Sequence, residues 1–466
     1  MNHRLHISDT AGRRGSDAGA GAAGVGFGAG ASAREGRALF EAPQDEAAQE
    51  LNAGLLVSRR GFLSGTLKTA GIMGLAGGTL AAAAGLTSCG SDSTATTPLT
   101  VSSDSITTAE ELDELKEYGS CVSLFATWIL PYGTMVFNNT PDLAVCLVPT
   151  DSASPLTHVY TLNPLTGETH RVIRYAVGMD EGYEVYDARG TSKGLIWVEA
   201  NIFTRFWRVY MASLVDGALE NILMVDAGDG EWEMPSVAVV GDYGFWQVRP
   251  RLDGSHTMDN SLLKKAAFGS GIAAVAFTSE GRFATPIYPL ADKLVITPRN
   301  DFNNLIHYQM TLVNALTNAV EDRLCLQTGM RPVEAGYGTN GFTFSFDAIY
   351  DYGDGISNLG TYTPYEGVVN GNYQNRRWFA FVRVPTAPPC WCGNYFIVKS
   401  TTAVLGIDLG GSRYFVLDVQ EGADTYGEYL ATTGTAATFV TYTNIDSNPI
   451  VGASRKVCSV RVWQRA

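Results

Sequence analysis

From Cys121 onward the chain consists of short apolar runs, rich in β-branched and aromatic residues and broken by Gly, Asp, Asn and Pro. Several runs alternate apolar and polar positions, which is the period of a half-buried strand, whereas long amphipathic helical patterns are absent. The pattern predicts an all-β body. The clearest predicted strands are Leu143–Val148, Gly194–Val198, Val237–Val240, Ile272–Phe277, Trp378–Val384 and Arg413–Val419.

One helix is predicted, directly ahead of the strands. Thr108-Ala109-Glu110-Glu111 fits a capping box, and a short helix would continue through Leu112 and Leu115 to a stop at Gly119. The preceding stretch, Gly90–Thr107, is rich in Ser and Thr and has few apolar residues, so it is predicted to be a flexible linker.

A strand–turn–strand pattern recurs along the predicted strands. It is clear at Tyr160–Glu168 and Tyr210–Gly217, and weaker copies begin at Tyr308 and Tyr414; successive tyrosines are 50, 98 and 106 residues apart. A period near 50 with several short strands per unit is typical of a β-propeller. Residues 119–466 would hold about seven blades; six or eight blades, or a β-sandwich with a chance spacing of tyrosines, remain alternatives.

The apolar pattern ahead of the body predicts an export signal. Ser58-Arg59-Arg60-Gly61-Phe62-Leu63 precedes an uncharged stretch, Thr69–Ser88, that ends in Leu86-Thr87-Ser88-Cys89. Arg59, Arg60, Phe62 and Leu63 match a twin-arginine signal, and small residues before a cysteine match a lipoprotein cleavage site. We therefore expect cleavage before Cys89, diacylglycerol on its sulfur, and anchoring at the extracytoplasmic face of the cell membrane.

These signals divide the chain into four predicted parts. They are a low-complexity leader at 1–57, the signal at 58–88, the lipidated cysteine with linker and short helix at 89–118, and the propeller at 119–466. The leader contains Gly19-Ala20-Gly21-Ala22-Ala23-Gly24, which matches a dinucleotide-binding motif but has no strand before it, so it is interpreted as low complexity. A translation start nearer Val57 is an alternative.

Charge and cysteine content limit the partners. The formal net charge is −14, which argues against nucleic acid as a ligand. Of seven cysteines, Cys89 is assigned to lipid, and the other six could form disulfides only between thiols that folding in the cytoplasm has already brought together. The Cys390-Trp391-Cys392 motif is interpreted as two cysteines on one face of a strand, in preference to a redox turn or a metal-binding pair.

No residue is predicted to be catalytic, to bind a cofactor or to bind a metal. Asp226–Gly230 and Asp351–Gly355 share the pattern D-x-G-D-G, which could hold a cation such as calcium but is favoured as a pair of hairpin turns. The histidines after Cys89 lack the spacing of metal ligands, and no G-x-S-x-G motif occurs.

The segment from Tyr362 to Tyr395 is dense in aromatic residues and arginine, the residues that dominate binding sites. Tyr362, Arg376, Arg377 and Trp391 are its candidate ligand contacts. The alternation from Trp378 to Phe381 is equally typical of a buried strand, and that structural interpretation is favoured.

Two of these features resemble known proteins. The Asn163-Pro164-Leu165-Thr166-Gly167-Glu168 hairpin and the Tyr210–Gly217 hairpin resemble those of periplasmic TolB-like propellers. With Arg59-Arg60 and Cys89, the chain is similar to the propeller-bearing twin-arginine lipoproteins of actinobacteria, which have no established activity.

By analogy of fold we expect an exported binding module for a glycan or protein ligand, with the twin-arginine export machinery and a membrane as its other partners. The alternatives are a surface lyase or glycosidase with its site in the propeller funnel, and a redox protein that carries a cofactor.

Overall fold

The computed structural model describes residues 98–99, 103–108, 111–150, 157–302, 305–338, 341–346, 361–364, 373, 378–380, 385, 387–408, 410–447 and 455–466. In these residues the secondary structure is strand, with three short 3-10 turns at Ser103–Ser105, Tyr118–Ser120 and Met179–Glu181. The described residues contain no helix that is long and apolar enough to cross a membrane.

The strands form seven sheets, each with antiparallel neighbours at its centre. Ahead of the first sheet lie β1 (Ile106–Thr108), β2 (Asp113–Glu114) and β3 (Val122–Pro131). Sheet 1 consists of β4 (Met135–Thr140), β5 (Leu143–Pro149), β6 (Thr157–Leu162) and β7 (Thr169–Ile173). Sheet 2 consists of β8 (Glu184–Thr191), β9 (Gly194–Asn201), β10 (Phe206–Val215) and β11 (Ala218–Gly228). Sheet 3 consists of β12 (Val237–Val240), β13 (Tyr243–Val248), β14 (Ser261–Ala267) and β15 (Ala274–Ser279).

The other four sheets follow in chain order. Sheet 4 consists of β16 (Tyr288–Leu290), β17 (Lys293–Ile296), β18 (Arg299–Phe302), β19 (Leu305–Asn314) and β20 (Val320–Cys325). Sheet 5 consists of β21 (Pro332–Gly338), β22 (Gly341–Phe346), β23 (Thr361–Pro364) and β24 (Trp378–Ala380), with β1. Sheet 6 consists of β25 (Cys390–Cys392), β26 (Tyr395–Lys399), β27 (Val404–Asp408), β28 (Arg413–Val416) and, further along the chain, β30 (Gly434–Ala436), with β2. Sheet 7 consists of β29 (Tyr429–Leu430), β31 (Thr438–Ser447) and β32 (Arg455–Arg465), with β3.

The sheets are arranged as the blades of a propeller. The first strand of each sheet from 1 to 5 contacts the first strand of the next, so that β4, β8, β12, β16, β21 and β25 follow one another. Apolar clusters fill the spaces between adjacent sheets; one of them joins sheets 1 and 2, and another joins sheets 2 and 3. The all-β prediction and the propeller architecture are confirmed, rather than a β-sandwich.

The two ends of the propeller chain are joined in sheet 7. Strand β3 pairs along its length with the C-terminal strand β32, in a register that runs from Val122↔Arg465 to Pro131↔Val457. Nearer the axis, the backbone of Asn138 in sheet 1 accepts a hydrogen bond from Thr433 and donates one to Ala431, at 3.0 Å each. Strand β3 therefore completes the last sheet and covers the edge that β32 would otherwise leave open.

The segment between β29 and β31 occupies the middle of the ring. Its strand β30 pairs with β25 and also contacts β16 and β21, the first strands of sheets 4 and 5. Gly434 donates its N–H to the Tyr288 hydroxyl at 2.7 Å, and has a φ of 79°, at a point where a Cβ would lie 3.3 Å from that of Leu290. The predicted alternative was a lyase or glycosidase with its site in the propeller funnel. Such a site would be confined to the part of the funnel that this segment does not fill.

The segment before β3 differs from its prediction. Strand β1 adds in parallel to the edge of β24, and β2 adds in parallel to the edge of β28, while the Leu99 N–H donates to the Cys325 carbonyl at 2.8 Å. Leu99 and Leu112 are buried in the cluster that holds sheets 4, 5 and 6 together. The predicted helix from Thr108 to Gly119 is therefore wrong, and the linker prediction is wrong for Pro98–Leu99 and Ser103–Thr107. We call the described residues from Pro98 to Ser120 the outer belt.

Three of the four tyrosines that mark the repeat lie in equivalent strands. Tyr160 lies in β6 and Tyr210 in β10, the third strands of sheets 1 and 2, and Tyr308 lies in β19, which takes the third place in sheet 4. Tyr414 lies in β28, the fourth strand of sheet 6, so its spacing departs from the others.

The turns that follow β6 and β19 have the same hydrogen-bonding pattern. The side chain of Asn163 accepts two N–H groups from the residues that follow, and that of Asn314 does the same. Each turn closes on a left-handed residue, Gly167 or Asn318. Asn and Gly are suited to these positions because Asn bonds its own turn and both tolerate positive φ.

Candidate functional site

An open cleft of about 620 Å³ lies between sheets 2 and 3. Sheet 2 contributes aromatic and apolar side chains from β10 and β11, and sheet 3 contributes residues of β13 and β14. The loop from Asp229 to Ser236, which connects the two sheets, forms another wall. The lining residues include Tyr183, Phe206, Asp226, Trp232 and Lys264.

Asp226 is positioned in the cleft by an irregularity in β11. Val209 pairs with Asp226 but its neighbour Tyr210 pairs with Met224, so Val225 is an extra residue in the strand. Such a bulge bends a strand and redirects the next side chain. The Asp226 carboxylate reaches sheet 3, where it accepts the Trp246 indole N–H at 2.6 Å and the Lys264 ammonium at 2.8 Å.

A second polar pair lies on the wall formed by sheet 2. The Arg208 guanidinium donates two hydrogen bonds to the Glu181 carboxylate and lies 4.1 Å from the centre of the Tyr183 ring. The hydrogen bonds from Arg208 lower the pKa of Glu181, and those to Glu181 raise the pKa of Arg208. Both groups therefore remain charged at neutral pH.

Two large side chains are exposed on the same wall. Phe206 is 46% exposed and Met224 is 55% exposed. Behind them, the Trp207 indole is buried and lies against Gly228, where a Cβ would come within 2.2 Å of the ring. Gly228 thus allows the indole to lie flat against β11, and any larger residue there would displace it.

The opposite wall is held by hydrogen bonds between two loops. The Glu231 carboxylate accepts the backbone N–H of Ser255 at 2.6 Å and its hydroxyl at 2.7 Å, and these bonds lower the pKa of Glu231. Glu233 forms ion pairs with Arg249 and with buried Arg282. Trp232 lies between these glutamates and stacks on His256, with ring centres 5.4 Å apart and planes at 21°. These contacts hold the backbone on either side of Trp232, whose ring also packs against the apolar cluster between sheets 2 and 3.

Some of the residues singled out from the sequence lie in this cleft. Asp226 and Asp229 belong to the first D-x-G-D-G motif, and both line the cleft. The hairpin-turn prediction is wrong for Asp226–Gly228, which form the end of β11, whereas Asp229 does form a turn by accepting the Glu231 N–H. The second motif, Asp351–Gly355, lies outside the described residues. Among the residues that the structure covers, no three His, Cys, Asp or Glu side chains are grouped as metal ligands.

Of the four candidate ligand contacts, Tyr362 and Trp391 lie in the described part of the chain. Trp391 is 2% exposed and packs against Phe396 and Gly338, so the structure assigns it to the core. The backbone of Tyr362 lies in β23. Arg376 and Arg377 lie outside the described residues, as do the export-signal residues Arg59, Arg60, Phe62 and Leu63 and the predicted lipid site Cys89.

The six remaining cysteines are free thiols in the interior. Cys390 and Cys392 lie in strand β25, as the favoured interpretation of their motif required. Burial raises the pKa of Cys392 to about 11 and that of Cys458 to about 12. Because the thiolate is the reactive form of cysteine, these two buried thiols are poor nucleophiles.

No protein family matches the sequence of the chain, and no curated protein matches it either. Solved structures similar to this chain include a prolyl endopeptidase, at 10% identity and a TM-score of 0.44 over 72% of this chain and 47% of that one. This chain thus matches about half the length of that enzyme. The β-propeller domain of the Trilobed protease from Pyrococcus furiosus is similar at 9% identity and a TM-score of 0.41, over 67% of this chain and 89% of that one. An oligogalacturonate lyase in complex with manganese is similar at 10% identity and a TM-score of 0.40, over 73% of this chain and 98% of that one.

Sequence reasoning missed most of the cleft. Tyr183, Phe206, Trp232 and Lys264 come from two sheets and a loop, and no spacing along the chain connects them. The D-x-G-D-G motif at Asp226 was the one sequence feature that pointed to the cleft, because a glycine and two carboxylates are unusual at the end of a strand.

Proposed function

We propose that this protein is an exported, lipid-anchored propeller that binds a ligand in the cleft between sheets 2 and 3. The observation that carries the proposal is the combination of exposed aromatic and apolar surface with the Asp226–Lys264 pair at the base of one cleft. Ligand sites commonly combine a mostly apolar lining with a few fixed polar groups.

The preorganised walls support the proposal. Trp232 is stacked on His256 and Asp226 is held by Trp246 and Lys264, so neither group has to be ordered when a ligand arrives. Ordering side chains on binding costs about 0.5–1.5 kcal/mol each, and a site without that cost binds more tightly.

The attachment of the outer belt is compatible with an anchored protein. Residues before the outer belt would connect it to Cys89, and Leu99 is already attached to the edge of sheet 4. Ten residues from Cys89 to Leu99 span at most about 35 Å when extended, so the propeller would stay close to the membrane surface. The twin-arginine machinery and the membrane are accordingly the other partners in this proposal.

A thermal-shift screen with a blocked cleft tests the binding proposal. The probes are neutral oligosaccharides, uronic-acid oligosaccharides, tetrapeptides and nucleosides. Ala227→Trp places a large side chain in the cleft, and Ala218→Trp places the same side chain at the exposed, opposite end of β11. At least one probe class should raise the Tm of the wild type and of Ala218→Trp, because binding to the native state stabilises it.

The same probe should leave the Tm of Ala227→Trp unchanged. An equal shift in all three proteins would place the site elsewhere, and no shift with any probe class would overturn the binding function of the cleft.

A further inference from the structure

We infer that the ligand of the cleft is a neutral saccharide. The inference rests on the proposed function and narrows it to one chemical class, using the shape, hydrogen-bonding groups and charge of the cleft.

The apolar walls suit the C–H face of a sugar ring. Trp232 lines the cleft with a partly buried indole that stacks on His256, and Phe206 lines it with a phenyl ring that is 46% exposed. Flat aromatic side chains bind amphipathic partners because one surface is apolar while the edges remain accessible to water. A pyranose has such an apolar face and a polar rim.

The base of the cleft suits hydroxyl groups. The Asp226 carboxylate is only an acceptor and the Lys264 ammonium is only a donor, and their polar atoms are 2.8 Å apart. A hydroxyl both donates and accepts, so a pair of neighbouring hydroxyls can donate to one group and accept from the other. Hydrogen bonds to charged groups are stronger than those between neutral groups, which lets the pair orient the sugar.

The charge pattern favours a neutral ligand over an ionic one. Lys264 is paired with Asp226, and Arg208 is paired with Glu181. An anionic ligand would have to compete with these carboxylates for the two cations. A cationic ligand would have to compete with Lys264 for Asp226, whereas Asp229, the other carboxylate that lines the cleft, accepts the Glu231 N–H of its own turn. The hydroxyls of a neutral sugar can add to both pairs without breaking either.

Calorimetric titration of the purified protein tests the inference. The probes are neutral glucose, galactose and mannose tetrasaccharides, a glucuronic-acid tetrasaccharide and a neutral tetrapeptide. We expect a neutral tetrasaccharide to bind with a Kd between about 10 μM and 1 mM, and with little dependence on salt because no net charge is neutralised.

Two variants locate the bound sugar. Trp232→Ala should weaken binding about tenfold or more, since it removes the stacking surface. Phe206→Ala should weaken binding as well, and its exposure makes misfolding a lesser concern; the Tm of each variant checks the fold. Tyr426→Ala, which removes an exposed aromatic ring near sheet 7, should leave Kd unchanged.

The contrary results separate the inference from the proposed function. Tighter binding of the glucuronic-acid probe or of the tetrapeptide, weakened by Trp232→Ala, would overturn the neutral saccharide and leave a ligand-binding cleft. Binding of the neutral sugar that both cleft variants leave intact would overturn the saccharide site in this cleft.

Discussion

At the scale of single residues, the two aspartates of the D-x-G-D-G motif have different surroundings. Asp226 accepts the buried Trp246 indole N–H and the Lys264 ammonium, whereas Asp229 accepts an N–H of its own turn. Asp226→Ala should lower the free energy of unfolding by about 1–3 kcal/mol, because the buried indole N–H loses its acceptor.

Asp229→Ala is the matched control, and we expect it to cost less than about 1 kcal/mol. Urea unfolding followed by tryptophan fluorescence measures both. Equal losses for the two variants would contradict the assigned role of Asp226.

Glu334 gives the protein a predicted pH dependence of stability. It lies in β21, the first strand of sheet 5, where its side chain is partly buried, and loss of solvation raises the pKa of its carboxyl from 4.5 to about 8. The folded state therefore retains a proton that the unfolded chain loses above pH 4.5, so the free energy of unfolding should fall as the pH rises from 4.5 to 8. The fall is expected to be on the order of a few kcal/mol, because a tenfold difference in proton affinity between the two states corresponds to about 1.4 kcal/mol.

The Glu334→Gln variant should lose this part of the pH dependence. Exposed Glu220 provides the control, since Glu220→Gln should leave the profile unchanged. Thermal unfolding at a series of pH values measures the pH dependence of stability. A Glu334→Gln profile parallel to that of the wild type would show that Glu334 does not cause this dependence.

At the scale of elements, the outer belt was the main error of sequence reasoning. Thr108 and Glu111 do approach each other, with 3.4 Å between their side-chain oxygens, but the segment forms edge strands rather than a helix. The local capping pattern is outweighed because Leu112 is buried against sheets 4 to 6 and the edges of β24 and β28 gain hydrogen-bonded partners. These gains depend on residues more than 170 positions away, which no local pattern contains.

The Leu99→Ala variant measures how much the outer belt contributes to the stability of the propeller. Its side chain is fully buried, so Leu99→Ala should lower the free energy of unfolding by about 2–5 kcal/mol through lost burial and a cavity. Leu316→Ala removes the same atoms from a side chain that is 68% exposed and should change the free energy by less than about 0.5 kcal/mol. Chemical unfolding compares the two, and a near-zero effect of Leu99→Ala would show that the belt does not stabilise the propeller.

The strands and hairpins of the propeller were predictable to a larger extent. Predicted runs such as Leu143–Val148 and Val237–Val240 lie in β5 and β12, because fully buried strands are uniformly apolar. The turns at Asn163 and Asp216-Gly217 were predictable because their residues tolerate the backbone conformations that tight turns require. The pairing of β3 with β32 was not predictable from local patterns, since it joins the two ends of the propeller chain.

At the scale of the whole molecule, the position of a binding site depends on how the sheets are closed. The segment containing β30 lies among the first strands of sheets 4 to 6, and the cleft lies between sheets 2 and 3. Only the folded ring brings Asp226 of sheet 2 to Lys264 of sheet 3. The candidate site was for this reason the least predictable feature of the sequence.

Anchoring is also a property of the whole protein. Cys89→Ala should move the protein from the membrane fraction to the soluble fraction, because two acyl chains hold a protein stably and their loss removes the anchor. Fractionation of cells that express each form, followed by immunoblotting, measures the change. The control is Cys121→Ala, which should remain with the membrane, and retention of Cys89→Ala in the membrane would argue against lipid on Cys89.

Ligand binding in the cleft between sheets 2 and 3 is tested most directly by covalent labelling of lysine in the presence of a neutral tetrasaccharide. Lys264 lies at the base of the cleft, whereas Lys456 is 58% exposed and lies in β32 of sheet 7. Mass spectrometry after brief acetylation should show slower labelling of Lys264 as the sugar concentration rises, with labelling of Lys456 unchanged. Labelling of Lys264 that is the same with and without saturating sugar would contradict binding of a neutral saccharide in this cleft.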